Sequence, residues 1–210
     1  MHIEFLVEEP STEAALRVIV PRILGDAVTF HVHVHQGKPD LLKSLPGRLR
    51  GYARWLPVDW RIVVLADEDR NDCLTLKNQM EAAAEQAALV TKTRTNPPET
   101  FQVLSRIAIE ELEAWFLGDL DALRMAYPRV SRNLATRAGF RNPDAITGGT
   151  WEALERVLQR AGYHKGGLAK IAAAREIAQH MAPERNRSRS FQVFRQGLLA
   201  AAGRAEHANA

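Results

Sequence analysis

Trp60-Arg61-Ile62-Val63-Val64-Leu65-Ala66, followed at once by Asp67-Glu68-Asp69-Arg70-Asn71-Asp72, is the stretch on which the fold turns. The first seven residues are nearly continuous in apolar character, with no alternation of wet and dry positions. That is the pattern of a strand covered on both faces, as in a parallel sheet flanked by helices. The acidic run then marks the carboxyl end of the strand, and the alanine-rich Leu74 to Ala88 reads as the helix that follows.

Upstream, the same rhythm recurs. His2 to Val7 is a short β-prone run, Pro10-Ser11-Thr12-Glu13 opens a helix with capping residues and an acid in its first turn, and Gly25 closes it. Ala27 to His35 is a second strand, Gly37-Lys38-Pro39-Asp40 a turn, and Leu41 to Leu56 a helix with a weak point at Pro46-Gly47. Downstream, Leu89 to Thr93 and, after the breaker Asn96-Pro97-Pro98, Phe101 to Ile107 are strand candidates. Strands alternating with helices imply a mainly parallel α/β sheet over residues 1–110. Residues 111–210 read as an all-helical portion packed on that core, with helices over Ile109–Leu117, Leu120–Tyr127, Val130–Ala138, Trp151–Ala161, Leu168–Met181 and Phe191–Gly203. The last residues, Glu206 to Ala210, read as frayed.

Composition narrows the class. The 210 residues are 46% hydrophobic and 25% charged, with 13 Gly and 10 Pro, which describes a folded globular chain and excludes collagen, disorder and a membrane-spanning protein. A lone cysteine, Cys73, and an N-terminus without signal-peptide character imply a reducing compartment, the cytoplasm. The net charge of +3 conceals an asymmetry: residues 1–119 hold 18 Asp/Glu against 13 Lys/Arg, and residues 120–210 hold 7 against 15. Such a split fits a carboxylate-built site beside a surface that attracts phosphates.

Ligands of open α/β sheets bind off the carboxyl ends of the strands. Glu8 and Glu9 end the first strand; Asp67, Asp69 and Asp72 follow the buried one. If those strands are neighbours, Glu8, Asp67 and Asp69 converge, and crowded carboxylates need a cation. Hard oxygen donors without a Cys or His cluster point to Mg²⁺ or Mn²⁺. Asp72 is either a ligand in the same cluster or the cap of the next helix. Helical spacing turns Glu113 inward and Glu111 away, so Glu113 either completes a second metal site, orients a basic residue, or belongs to an acidic solvated face. His31, His33 and His35 share one face of a strand, a spacing compatible with zinc but lacking a fourth ligand and equally suited to an edge strand. Lys165, beside Gly166-Gly167 at a helix start, could meet a phosphate. The run Arg185-Asn186-Arg187-Ser188-Arg189-Ser190 reads as a flexible basic loop, either solvated or set against a nucleic-acid backbone through Arg185, Arg187 and Arg189. Trp55, Trp60, Trp115 and Trp151 read as core residues.

Phe5-Leu6-Val7-Glu8-Glu9-Pro10-Ser11-Thr12-Glu13 resembles the glutamate motif of the Toprim domain, and Val63-Val64-Leu65-Ala66-Asp67-Glu68-Asp69 resembles its Asp-x-Asp motif. The likeness extends to bacterial proteins with a Toprim-like core, in which features similar to Gly37-Lys38, Asp67-x-Asp69-x-x-Asp72-Cys73, Glu113-Ala114-Trp115 and Ser190-Phe191 recur. Where the motif glutamate is commonly followed by glycine, this chain has Glu9. The resemblance implies that Glu8 is a metal ligand or the general acid–base, that Asp67 and Asp69 hold Mg²⁺, and that Glu13 matches a second acid of Toprim nucleases. The expected activity is Mg²⁺- or Mn²⁺-dependent phosphodiester chemistry on DNA or RNA in a defence or repair system. Lys38 or Lys165 would neutralise remaining charge. The alternative is a non-catalytic metal- or nucleotide-binding regulatory subunit of a defence system, and an ATPase is a candidate partner in either case.

Overall fold

A computed structural model describes residues 1–69, 71–95 and 101–204. The breaker at Asn96 to Pro98 and the tail from Glu206 expected from the sequence lie outside the described residues. Four strands, β1 (His2–Val7), β2 (Thr29–Val34), β3 (Trp60–Asp67) and β4 (Val103–Ala108), form one all-parallel sheet in the order β2-β1-β3-β4. Helices α1 (Pro10–Leu24), α2 (Lys38–Tyr52) and α3 (Cys73–Gln86) connect them, and α4 (Glu113–Gly118), α5 (Leu120–Ala126), α6 (Thr150–Arg160), α7 (Lys170–Ala178) and α8 (Arg189–Ala201) follow. The α/β reading of the sequence is the architecture observed. Among the described residues no helix is long and apolar enough to cross a membrane.

The two sheet faces are filled from different parts of the chain. Leu6, Ile62, Val64 and Ala66 pack under α2 and α3, against Leu41, Leu45, Leu49 and Met80. Ile3, Phe5, Val7, Val63 and Leu65 face α1, and the same apolar cluster continues into Trp115, Leu154, Ile177, Phe191 and Leu198. A run buried on both sides, as in β3, follows from having helices on both faces.

Three local expectations are corrected. Leu89–Thr93 is not a strand: only Thr91 bridges to Val103, and Lys92–Arg94 is a 3₁₀ turn. Val130–Ala138 is not an α-helix but two 3₁₀ turns, Arg132–Thr136 and Ala138–Phe140. There Ser131 Oγ accepts from Asn133 N and Thr136 Oγ1 donates to Asn133 O, bonds that compete with helix continuation. The helix expected from Ile109 starts only at Glu113, because Glu110 adopts a left-handed conformation at φ 59°.

The Arg185–Ser190 run is fastened rather than flexible. Asn186, Ser188 and Ser190 are buried while Arg185, Arg187 and Arg189 are exposed, an alternation that aims the three arginines outward. Asn186 Nδ2 donates to Trp115 O at 2.7 Å, and its Oδ1 accepts from Ser188 N at 2.9 Å. Asp144 accepts from Ser188 Oγ at 2.6 Å and Ser190 N at 2.8 Å. Of the tryptophans, Trp115 alone is fully buried; Trp60 and Trp151 are half-buried and Trp55 is exposed.

A Cβ on Gly118 would lie 2.1 Å from Asn186 Oδ1 and 2.9 Å from Ser188 N, whereas one on Gly47, inside α2, meets nothing within 4 Å. Gly118→Ala should therefore destabilise the chain by about 1–3 kcal/mol through overpacking. Gly47→Ala should leave stability unchanged or raise it by up to ~1 kcal/mol through helix propensity. Urea denaturation of the two variants tests the contrast, and equal effects would remove the packing role assigned to Gly118.

Candidate functional site

β1 and β3 pair in parallel with Val7 opposite Leu65, so the residues after each strand emerge side by side at the middle of the sheet's carboxyl edge. Glu8 Oε1 accepts from the amide of Asp67. Both side chains are buried, at 7% and 8% exposure, and Glu113 from the first turn of α4 is buried further, at 2%. Alternation along the chain sends Glu8 and Glu9 to opposite sides of the edge. Glu8 lies on the α2 side with Asp69 and Lys38, and Glu9 on the α7 side with Glu113 and Lys170.

Two lysines bracket the row. Lys38 Nζ donates to Asp69 Oδ2 at 2.6 Å and to Glu68 O at 3.0 Å. Gly37, at φ 84°, makes the turn that presents Lys38, and its amide donates to Glu8 O at 2.9 Å. On the other side Lys170 Nζ lies 3.9 Å from Glu113 Oε1, 4.0 Å from Glu9 Oε2 and 5.4 Å from the Trp151 ring centroid.

The electrostatics follow from this crowding. Burial pushes the Glu8 carboxyl up to about 7; the Asp67 amide and Lys38 pull it back, while Asp69 and Glu9 add to the rise. Burial, then the charges of Glu8, Glu113, Glu9 and Asp69, hold Asp67 well above the usual carboxylate range. Burial likewise raises Glu113 to about 7 against the pull of Lys170. Burial opposes the Lys170 charge, yet Glu113, Glu9, Glu111 and Asp67 keep its pKa above the ordinary value. Glu113 Oε2 is buried with no hydrogen-bond partner among the described residues.

The loops after β3 and β4 are stitched together here. Asp69 N donates to Glu110 O at 2.7 Å and Glu110 N to Glu68 Oε2 at 3.1 Å. Asp69 and Glu110 both take left-handed backbone, at φ 51° and 59°, which for a glutamate is an uncommon and strained state. Beside them opens a cleft of about 540 Å³ lined by Asp69, Glu110, Glu111, Glu152 and Trp151.

Other residues singled out from the sequence lie elsewhere or do other work. Asp72 is exposed and caps α3, its Oδ1 accepting from Thr75 N at 2.7 Å. Glu111 Oε2 caps α6 through Thr150 Oγ1 and Trp151 N. Glu13 pairs with Arg17 one turn on. Lys165 is exposed in the turn before α7 and makes no ion pair among the described residues; the lysine that reaches the carboxylates is Lys170. Arg185 lies 3.9 Å from Asp119, while Arg187 and Arg189 point to solvent. His31, His33 and His35 do share a face. His33 Nε2 sits 2.6 Å from Glu4 Oε2, however, and buried His35 turns Nδ1 to Val7 O at 2.9 Å, beside Glu8. Among the described residues no three His, Cys, Asp or Glu side chains are placed to share one metal ion. The sequence did hold a signal for Lys170. A cation in the first turn of a helix opposes the macrodipole, so its presence there asks for a compensating group of carboxylates.

The family described as Domain of unknown function (DUF4276) matches residues 7–199, and the chain belongs to it. No curated protein and no solved structure matches the chain.

A carboxyl group whose pKa is raised in the folded chain stabilises the fold below its unfolded value and loses that contribution as pH rises through the folded one. Glu8 and Glu113 move from 4.5 to about 7, which sets the window. In EDTA, stability should therefore fall between pH 5 and pH 8, by up to ~3 kcal/mol for each group. Glu113→Gln should flatten that slope. Denaturant midpoints across the range are the measurement, and a slope in Glu113→Gln equal to the parent's would sink the assignment.

Proposed function

We propose that this member of the family carries out Mg²⁺- or Mn²⁺-dependent phosphodiester chemistry on nucleic acid. The observation that carries the reading is the buried carboxylate row Glu8, Asp67 and Glu113: burial raises the pKa of each, the charges of Glu8 and Glu113 raise Asp67 further, and Glu113 Oε2 has no hydrogen-bond partner among the described residues. Such a row is relieved by a divalent cation. A site with no three-residue cage among the described residues is compatible with Mg²⁺, which keeps most of its waters and takes one or two carboxylates together with substrate phosphate. Glu8 and Asp67 are the pair that would hold it. The Toprim resemblance of the glutamate and Asp-x-Asp motifs points the same way.

The ion, when bound, polarises the phosphate and stabilises developing negative charge. The chain's own groups supply the rest. In the metal-free site burial raises Glu8 to about 7 with one oxygen fixed by the Asp67 amide, so it can take up or release a proton near neutrality, and a bound cation would lower that value. Lys38 and Lys170 sit at the two ends of the row, where their positive charges would help to neutralise a substrate phosphate. The outward arginines Arg185, Arg187 and Arg189 supply a fixed cationic row for a nucleic-acid backbone.

One observation favours a second, non-catalytic reading. Lys38 already pairs with Asp69 at 2.6 Å, so the site is partly neutralised from within, as suits a regulatory pocket that binds a nucleotide or metal without turnover.

The test is thermal and catalytic together. Mn²⁺ should raise the Tm of the parent, and Asp67→Asn should abolish the rise, because only binding to the native state shifts the midpoint. Glu8→Gln should lose cleavage of single- or double-stranded DNA or RNA by ~10²-fold or more, while Glu9→Gln retains it. A flat Mn²⁺ response in a well-folded parent would remove the metal. A Mn²⁺ shift without cleavage of any of the four substrates would select the regulatory reading.

A further inference from the structure

The stretch that follows α5 is rich in arginine and free of acid. Residues 129–143 hold Arg129, Arg132, Arg137 and Arg141 and no Asp or Glu. The first of their two 3₁₀ turns and the end of α6 border a pocket of about 100 Å³, lined by Arg129, Ser131, Leu134, Arg137, Val157 and Arg160. Leu134 and Val157 are its buried side, and the three arginines are exposed around it.

Arg129, Arg137 and Arg160 form no ion pair among the described residues. The acids of α5, α6 and α7 are engaged elsewhere: Asp121 pairs with Arg124, Glu155 Oε1 accepts from Leu168 N, Glu176 hydrogen-bonds Tyr127, and Glu152 lines the acidic cleft at the other end of α6. Arg129 is also fixed in place. Its guanidinium lies 4.1 Å from the Tyr163 ring centroid and its Nη2 donates to Gly162 O at 3.2 Å, which leaves Nε and Nη1 without a partner among the described residues. A guanidinium held on an aromatic face loses little freedom when it meets an anion. Ser131 Oγ accepts from Asn133 N at 3.3 Å, so its own hydroxyl proton remains for a ligand.

We propose that this pocket holds a backbone phosphate of the nucleic-acid strand presented to the carboxylate site. The inference rests on the nucleic-acid reading above and adds to it an anchor that needs no metal. Forked guanidiniums match phosphate oxygens, and here three of them meet a hydroxyl donor with no carboxylate in the lining. Helix α6 joins the two sites. Glu152 borders the acidic cleft at its start and Arg160 the pocket at its end, about 12 Å apart along the axis and roughly 80° apart around it. At about 3.4 Å per phosphate of a B-form strand, that span covers about three or four nucleotides. Exposed Arg156, one turn before Arg160, and exposed Arg132 and Arg141 extend the positive surface around the pocket.

The probe is a fluorescein-labelled DNA dodecamer, single-stranded or paired, titrated with the full chain in EDTA and read by anisotropy. EDTA removes metal and turnover, so the result stands whether or not the chain cleaves. Arg137→Gln with Arg160→Gln should weaken binding about tenfold and lower the slope of log affinity against log salt by about one, the share of one phosphate. Lys43→Gln with Arg50→Gln, an equal loss of charge from exposed positions on α2, should leave the slope unchanged and the affinity within about twofold. At equal ionic strength, inorganic phosphate should displace the DNA from the parent more than chloride does, and this excess should vanish in the arginine pair. Should that pair not fold, Ser131→Asp replaces it, keeping a capping oxygen for Asn133 N while putting a carboxylate on the pocket, with the same loss expected. The proposal is overturned if the parent shows no saturable binding at low salt, if the two double variants bind alike, or if phosphate and chloride compete equally. It is also overturned if phosphate raises the Tm of the parent alone while the arginine pair binds DNA as the parent does, which would assign the pocket to free phosphate. Displacement of the DNA by a phosphoserine peptide as fully as by unlabelled DNA would overturn it in favour of a phosphorylated protein. A flat Mn²⁺ response with the effect of the arginine pair intact would remove the metal chemistry and leave this pocket standing.

Discussion

The pairing register of β1 with β3 forces acids together. Once Val7 lies opposite Leu65, Glu8 and Asp67 leave their strands side by side, and one of Glu8's oxygens meets the Asp67 amide. Neither carboxylate can retreat to water, because helices close both faces of the sheet. Glu113 is brought to the same place by α4, whose position is in turn fixed by Trp115 against Phe191 and Phe194. The apolar interior thus holds in place a set of charges that would separate in solution, as expected where a fold keeps a costly arrangement for use.

Relief of that arrangement is divided between the two sides of the sheet. Lys38 serves Asp69 from α2 and Lys170 serves Glu9 and Glu113 from α7, and neither meets Asp67 in a direct ion pair. Asp67, the most central acid, therefore depends on protonation or on something brought from outside. The strained backbone at Asp69 and Glu110 lies in the same neighbourhood, on the rim of the acidic cleft.

Much of this was legible because it rests on short-range pattern. The unbroken apolar run before Asp67 marks a strand with helices on both faces, and acids immediately after two such runs must meet if the strands are neighbours. What stayed hidden depends on distant partners or single backbone states. The polar residues Asn186, Ser188 and Ser190 read as loop because their partners, Trp115 and Asp144, are more than 40 residues away. The late start of α4 turns on one left-handed residue, Glu110, which composition does not mark. Lys170 was passed over for Lys165, which stands beside the more conspicuous glycines.

The apolar cluster that begins at Ile3 and Phe5 closes only with Ile177, Phe191 and Leu198. Arg22 of α1 also donates to Met181 O and Gln179 O, more than 150 residues downstream. During synthesis at ~5–20 residues per second, the inner face of β1 therefore waits on the order of 10 to 40 seconds for its final cover. Over the later part of that interval a nascent parallel sheet with one face covered by α1 alone is available to chaperones and to other chains. The order in which the chain leaves the ribosome, more than the stability of the finished fold, sets its exposure to misassembly.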